Sequence, residues 1–181
     1  MSETANRIPL ARAAQLAAAV RDELAPGCER LSVAGSIRRR KETIGDLEIV
    51  AIPKVRVDLL GKFMGTDLNV ILSDLELSKR LERVRGGDRQ RQYKIVKADN
   101  FILDLFIVTA ETFGCQMLIR TGPESFSKAM VTPRFLGGKC PAWLKFSEGR
   151  LWRDGVPLLT PEERSVFEAM ELPYLEPWAR R

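Results

Sequence analysis

The sequence contains no histidine. This absence excludes serine–histidine–aspartate triads, histidine-ligated zinc sites and acid–base catalysis by imidazole. Any catalysis by this chain must therefore depend on carboxylates, lysine, tyrosine, cysteine or bound metal ions. Phosphoryl transfer suits such a composition, because positioned charge supplies most of the catalysis in that class of reaction.

Cysteines are few, and long apolar runs are missing. Cys28, Cys115 and Cys140 match neither a metal-binding spacing nor a disulfide framework, and we expect them to be reduced and largely buried. No segment approaches the roughly 20 consecutive apolar residues of a membrane helix. The polar segment 1–7 lacks the apolar core of a signal peptide. These absences predict a cytoplasmic protein with no membrane partner.

The length and the charge set further bounds. A chain of 181 residues, 45% of them hydrophobic, suffices for one domain or for two small lobes that share a boundary. The net charge is +5 and the sequence pI is about 9.3. A modest basic excess of this kind is compatible with a polyanionic partner without requiring one.

Helical and extended patterns alternate along the chain, which predicts an α+β or α/β fold. The predicted helices cover 9–24, 112–120 and 124–130, and a last helix starts with a capping box from Thr160 to Glu163. The predicted strands cover 30–34, 46–52, 91–97 and 101–108, with a hairpin over 143–152. Segments 56–63 and 73–83 are predicted as weaker helical or mixed structure. A boundary near residue 110 separates two lobes.

Three carboxylates lie inside apolar strand patterns. Asp46 and Glu48 are two residues apart, so both side chains face the same side of their strand, and Asp104 alternates with apolar residues in the same way. Acidic groups in such surroundings are unfavourable unless their charge is compensated. Mg²⁺ prefers carboxylate oxygens, water and substrate phosphates, which suggests a two-ion site. By itself, however, Asp-x-Glu is also common in ordinary solvent-facing strands.

A possible phosphate-binding segment precedes these carboxylates. Gly35 allows a close backbone approach, Ser36 offers a hydroxyl at the start of a short helix, and Arg39 offers a planar set of donors. Gly45 provides a second close approach directly before the first carboxylate. A tight turn followed by a solvated basic run explains the same residues one at a time, but their combination at this spacing is more specific.

In this order, the residues resemble DNA polymerase family X. Four motifs carry the resemblance, at 33–50 (phosphate binding and the first catalytic carboxylates), 103–106 (the third carboxylate), 118–130 (the helix beside the incoming base) and 148–180 (the closing segment). Residues 7–9 also resemble the segment that enters the palm domain of this family. The resemblance spans residues 7–180, and it implies the layout of small viral members, for which we expect no lyase or helix-hairpin-helix regions.

The resemblance implies a nucleotidyltransferase palm over 1–109, with a mixed β-sheet backed by helices, and a small C-terminal α/β lobe over 110–181. It implies a DNA-directed DNA polymerase that transfers dNMP from dNTP to a primer 3′-hydroxyl by a two-metal mechanism, in short-gap filling during DNA repair. The expected cofactors are two Mg²⁺ ions, with Mn²⁺ as a substitute. The expected partners are primer-template or gapped DNA and dNTP, and the expected state is a monomer.

The resemblance also assigns residues. Asp46, Glu48 and Asp104 would hold the metals, and Asp104 would help to activate the primer hydroxyl. The triphosphate would be bound by Gly35, Ser36, Arg39 and Gly45, with Arg7 as a helper. The sugar and base would meet Gly122, Glu124 and Ser127, and the template would meet Lys128. A separate basic strip, which includes Arg89, Arg91 and Lys94, offers phosphate contacts whose strength depends on salt.

The chain departs from the family pattern at several positions. Glu48 stands where the family has aspartate, and Ile119-Arg120 replace an aromatic pair that bears on sugar discrimination. Ser127 replaces a base-contacting asparagine, and Val131 replaces a template-contacting arginine. Two alternatives therefore stay open: a template-independent nucleotidyltransferase, and a catalytically inactive DNA-binding relative.

Overall fold

The computed structural model describes residues 7–180. Except for Arg7, the polar N-terminal segment used for the signal-peptide prediction lies outside this range. Within the range, every helix is too short or too polar to cross a membrane. Cys28, Cys115 and Cys140 are buried free thiols, which confirms the expectation for the three cysteines.

The described residues form six α-helices, twelve strands and four short 3₁₀ turns. The helices are α1 (Leu10–Leu24), α2 (Gly35–Arg38), α3 (Asp67–Leu77), α4 (Phe113–Thr121), α5 (Glu124–Val131) and α6 (Glu163–Ala169). The strands are β1 (Ile8–Pro9), β2 (Cys28–Val33), β3 (Thr43–Ile44), β4 (Asp46–Pro53), β5 (Val55–Val57), β6 (Phe63–Thr66), β7 (Leu81–Gly86), β8 (Gln90–Ile95), β9 (Phe101–Ile107), β10 (Leu144–Ser147), β11 (Arg150–Arg153) and β12 (Val156–Pro157). The 3₁₀ turns are Ala25–Gly27, Val96–Ala98, Arg134–Leu136 and Pro177–Ala179.

A five-stranded sheet with the order β2-β4-β9-β8-β7 forms the centre of the molecule. Strands β4 and β9 pair in parallel, whereas the other three pairings are antiparallel. The sheet is therefore mixed, and the chain has a mixed α and β architecture, as the sequence predicted. The identity of this sheet as a nucleotidyltransferase palm stays a prediction.

One face of the central sheet is covered by α1 and α3. Leu47 and Ile49 of β4, with Leu103 and Leu105 of β9, are fully buried in a cluster with Leu72 and other apolar residues of the two helices. The alternation along β4 and β9 sends every second side chain into this cluster. The intervening side chains of both strands consequently face the opposite side.

The opposite face of the sheet is covered only in part. Phe113 and Met117 of α4 pack on Val50 and Phe106 in a second buried cluster. This cluster stops short of the first residues of β4, and the uncovered end of the sheet becomes the floor of a cavity. A third cluster, drawn from α4, α5, α6 and the small sheet β10-β11-β12, lies within the C-terminal residues 115–174. The predicted boundary near residue 110 stays a prediction.

The prediction of helical or mixed structure was wrong for segment 56–63 and correct for segment 73–83. Segment 56–63 contributes to an antiparallel pair, β5-β6, whose turn is held by Asp58 Oδ1 accepting the backbone N–H groups of Leu60 and Lys62. Segment 73–83 is mixed, since it contains the end of α3 and the start of β7. Thr66 caps α3 by accepting a hydrogen bond from the Asn69 backbone N–H at 3.2 Å.

The predicted capping box of the last helix was also wrong. Thr160 is buried, and its hydroxyl donates to the backbone carbonyl of Glu111 at 3.2 Å instead of capping α6. The residue before α6 is Glu162, which makes no side-chain capping bond. Glu163 turns away from the helix start because two arginines bind its carboxylate. A tertiary interaction has therefore replaced the expected local one.

Candidate active site

Asp46, Glu48 and Asp104 share one face of the central sheet. In the parallel pairing of β4 with β9, Glu48 is directly opposite Asp104, and Asp46 is opposite Ile102. The carboxylates alternate with residues that are buried under the helices on the other face. This arrangement confirms the strand predictions and the expectation of a shared face, whereas the catalytic roles stay predictions.

The three carboxylates repel one another. Burial, and then the charge of Asp46, raises the pKa of Glu48 to about 7, although Arg39 opposes this shift. Burial, and then the charge of Asp104, raises the pKa of Asp46. Both groups are half-buried. The fold thus holds acidic side chains where their ionised forms are destabilised, which is a common property of functional sites.

The carboxylates do not form a ready-made metal cage. Within residues 7–180, no three acidic or cysteine side chains are grouped closely enough to hold an ion. Asp104 Oδ1 accepts a hydrogen bond from Gln92 Nε2 at 3.0 Å, and Glu48 turns toward Gly35. The donor set nevertheless fits a divalent cation such as Mg²⁺, because half-buried carboxylate oxygens of like charge gain most from a shared positive charge.

A cavity of about 760 Å³ opens above this end of the sheet, between α2 and the α4–α5 connection. It brings together ten residues predicted from the sequence, namely Arg7, Ser36, Arg39, Gly45, Asp46, Glu48, Gly122, Glu124, Ser127 and Lys128. Gly35 and Asp104 adjoin the cavity through Glu48 without lining it. Residues from two segments that are distant in sequence, 7–48 and 119–131, thus converge on one space.

Arg39 is the central cation of the cavity. Its Nε–H is buried and has no hydrogen-bond partner among the described residues. Its Nη1 donates to the backbone carbonyl of Thr121, next to Gly122, whose added Cβ would lie 3.1 Å from the same nitrogen. A buried donor without a partner costs about 1–3 kcal/mol, so the hydrogen-bonding capacity of this guanidinium is not fully used within the described residues.

Gly35 permits the close packing of Glu48. Its φ of +62° lies in the left-handed region, and a Cβ at this position would lie 1.8 Å from Glu48 Oε2. Any other residue would therefore displace the carboxylate as well as strain the backbone. Glycine is required here because of the neighbouring Glu48 side chain. The sequence analysis had attributed this glycine instead to a close approach by a ligand.

The remaining cavity residues are held by local bonds. Arg7 Nη2 donates to the Thr43 carbonyl oxygen at 2.8 Å. Ser127 Oγ donates to the Ile119 carbonyl oxygen at 2.8 Å. On the exposed rim, Lys128 Nζ lies 2.6 Å from Glu124 Oε1. The predicted roles of these residues in nucleotide or template binding stay predictions.

The basic strip is divided between the two faces of the sheet. Arg91 pairs with Leu105 and so lies on the face opposite the carboxylates, whereas Lys94 lies on the carboxylate face and forms an ion pair with Glu82 at 2.9 Å. Arg89, in the β7–β8 turn, lines a separate cleft with Arg85. None of these three residues of the strip lines the central cavity, and their assignment as DNA contacts stays a prediction.

Sequence reasoning missed three features of the site. Arg120 was noted only as a departure from the family pattern, yet it lines the cavity. Gln92 was not singled out, although the strand pairing places it opposite Asp104. The alternation of side chains along β8 could have identified Gln92, because it places this residue on the face opposite to the buried Tyr93 and Ile95.

The third missed feature is a buried ion cluster around Glu163. Arg38 Nη2 lies 2.7 Å from one oxygen of Glu163, and Arg180 Nη1 lies 2.6 Å from the other. Tyr174 also donates to this carboxylate, at 3.1 Å. Arg38 additionally donates to Thr121 Oγ1 at 2.6 Å, so the cluster ties α2 to the C-terminal residues beside the cavity.

Comparison of the chain with models of protein families and with curated proteins found no match.

Proposed function

We propose that this protein is a nucleotidyltransferase of the DNA polymerase family X type, which adds a nucleotide from dNTP to a primer 3′-hydroxyl. One observation carries the proposal: a single cavity is lined by Arg39 and Arg120 and, with them, by half-buried carboxylates that repel one another. A triphosphate accompanied by divalent cations would satisfy both groups at once.

Asp46, Glu48 and Asp104 would hold two Mg²⁺ ions, or Mn²⁺ in their place. When bound, such ions neutralise the charge that develops on the attacking and leaving oxygens of an in-line displacement. The row of carboxylates supplies hard oxygen donors on a rigid sheet, and Gln92 orients Asp104 through its hydrogen bond.

The residues of this chain perform the binding and positioning. Arg39 binds the triphosphate through its guanidinium group, with Ser36 and Arg7 beside it in the cavity. Gly122 and Ser127 lie at the end of the cavity formed by the C-terminal residues, next to the sugar and base, and Lys128 on the rim approaches the template.

The reaction is a displacement at phosphorus. The primer 3′-oxygen forms a bond to the α-phosphorus as the bond to the pyrophosphate oxygen breaks, and the hydroxyl proton leaves toward Asp104. No covalent intermediate with the protein is required. The absence of histidine is consistent with this chemistry, because a carboxylate can receive the proton.

The deciding experiment is primer extension on DNA with a one-nucleotide gap, with each dNTP offered separately opposite each template base. The proposal expects extension that depends on Mg²⁺ or Mn²⁺ and follows the template base. Addition that ignores the template base would favour the template-independent transferase. Absence of any extension by folded protein with either metal would favour the inactive DNA-binding relative.

A further inference from the structure

Arg120 reaches from the last turn of α4 into the central cavity, beside the row of carboxylates. Its guanidinium stacks on the ring of Phe106 at 4.1 Å from the centroid, and its Nε–H donates to Gln116 Oε1 at 3.3 Å. Phe106 follows Asp104 by two residues on the same face of β9. The stacking therefore holds the positive charge of Arg120 over the residue that follows Asp104 on the carboxylate face of β9.

The electrostatic partners of Arg120 are the proposed metal ligands. Burial lowers the pKa of Arg120, and the charges of Glu48 and Asp104 oppose this shift. Arg39 has an equivalent electrostatic relation to Glu48 and Asp46. Two guanidinium groups thus flank the carboxylates, and both stay charged because arginine is not deprotonated in proteins.

We propose that Arg120 is the resident counter-cation of the carboxylate row, compensating Glu48 and Asp104 in the metal-free protein and competing with divalent cations for them. This inference rests on the proposed function, since it takes these carboxylates as metal ligands. Arg120 is a positioning residue here, because it acts through the carboxylates. Its charge weakens the binding of free metal ions, and a triphosphate in the cavity offsets that charge, so metal binding becomes dependent on nucleotide.

The test is the affinity of the protein for Mn²⁺ alone, measured from the electron paramagnetic resonance of free Mn²⁺ without nucleotide or DNA. Arg120→Met keeps a side chain of similar length over Phe106 and removes the charge, whereas Arg120→Lys retains the charge. Arg153→Ala is the matched control, because it removes one positive charge from an exposed position on β11. Arg120→Gln replaces the methionine variant if that variant does not fold.

We expect Arg120→Met to bind Mn²⁺ about tenfold more tightly than the wild type, and Arg120→Lys and Arg153→Ala to stay within about threefold of it. A purely structural role would change the melting temperature without changing the Mn²⁺ affinity. Equal affinities for wild type and Arg120→Met, with template-directed extension intact, would overturn this inference alone. If no variant binds Mn²⁺ and the wild type extends no primer, the proposed function fails together with it.

Discussion

Glu48 and Glu163 are both withdrawn from solvent, but their surroundings treat the carboxylate charge in opposite ways. Burial raises the pKa of Glu48 to about 7, and Asp46 adds to the shift. Burial alone would also raise the pKa of Glu163, yet hydrogen bonds from Arg180 and Arg38 outweigh it, and the pKa lies below its usual value. The charge of Glu163 is compensated within the fold, whereas the charge of Glu48 is only partly compensated.

The difference separates a carboxylate whose charge is compensated within the fold from one whose charge, in the proposed function, is compensated by a ligand. The cluster around Glu163 is complete, because both carboxylate oxygens have partners and Arg180 is fully buried. The carboxylates of the cavity are left with like-charged neighbours, and Arg39 has a free donor. Stability given up at one site in this way is typical of binding and catalytic sites.

The largest expected effect is at the cavity. Asp104→Ala should lower gap-filling extension by at least about 1,000-fold, because the clamp on the reacting oxygens supplies several kcal/mol. DNA binding, measured by fluorescence anisotropy, should stay largely intact, and so should the melting temperature. Extension at a normal rate by this variant would show that the assigned metal site is wrong. Gln92→Leu, which removes the hydrogen bond to Asp104, should have a smaller effect of the same kind.

The next effect is at the compensated carboxylate. Glu163→Gln should lower the free energy of unfolding by about 3–5 kcal/mol, since it leaves the buried Arg180 and the half-buried Arg38 without their counter-charge. Urea denaturation measures the loss. Glu162→Gln is the matched control, because Glu162 is exposed and pairs with Arg30, and it should cost at most about 1 kcal/mol. A loss at Glu163 no larger than that of the control would remove the contrast between the two regions.

The pH dependence of stability should have opposite signs at the two carboxylates. The pKa of Glu48 is raised from 4.5 to about 7 in the folded state. The contribution of Glu48 to the stability of the fold is therefore present below pH 4.5 and is lost as the pH rises through 7. In metal-free protein, Glu48→Gln should therefore match the wild type near pH 4.5 and melt at a higher temperature near pH 8.

The contribution of Glu163 is present above the ordinary carboxyl pKa and is lost as the pH falls, because its folded pKa is lowered. The destabilisation caused by Glu163→Gln should consequently shrink in acid. Scanning calorimetry of both variants across this pH range measures the two trends. A difference between Glu48→Gln and wild type that does not change with pH would contradict the assigned environment of Glu48.

The smallest expected effect is that of Glu48→Asp. The shorter side chain restores the residue that family X has at this position and withdraws from Gly35, so extension with Mg²⁺ should stay within about tenfold of the wild type. Primer extension at a series of Mg²⁺ and Mn²⁺ concentrations measures it. Complete loss of activity would mean that the backbone around Gly35 is adapted to the longer glutamate.

Sequence patterns predicted the parts of the molecule that depend on local periodicity. The alternation in 46–52 and in 101–108 predicted both strands and the shared face of Asp46, Glu48 and Asp104, and helical spacing predicted α1. Segment 56–63 was assigned wrongly, because short apolar runs have no distinctive period and Asp58 forms a turn that was not recognised.

The residues of the candidate site were likewise predicted only in part. The sequence pattern alone identifies Gly35, Ser36 and Arg39, because these residue types follow one another at a characteristic spacing. Arg120 was not assigned a function, because its position in the cavity depends on stacking against Phe106 from another element. The role of Glu163 was mistaken, because the local capping pattern competes with Arg38 and Arg180, which are distant in sequence.

The acidic residues, their spacing and the face on which each lies follow from the order of amino acids alone, since a strand repeats every two residues regardless of what packs on it. Which of these charges are compensated depends on the folded chain. Compensation requires partners from β4, β9, α2, α4 and the C-terminal residues at hydrogen-bonding or stacking distance. Distances of that kind are set by the packing of the whole chain and are not encoded in any short segment.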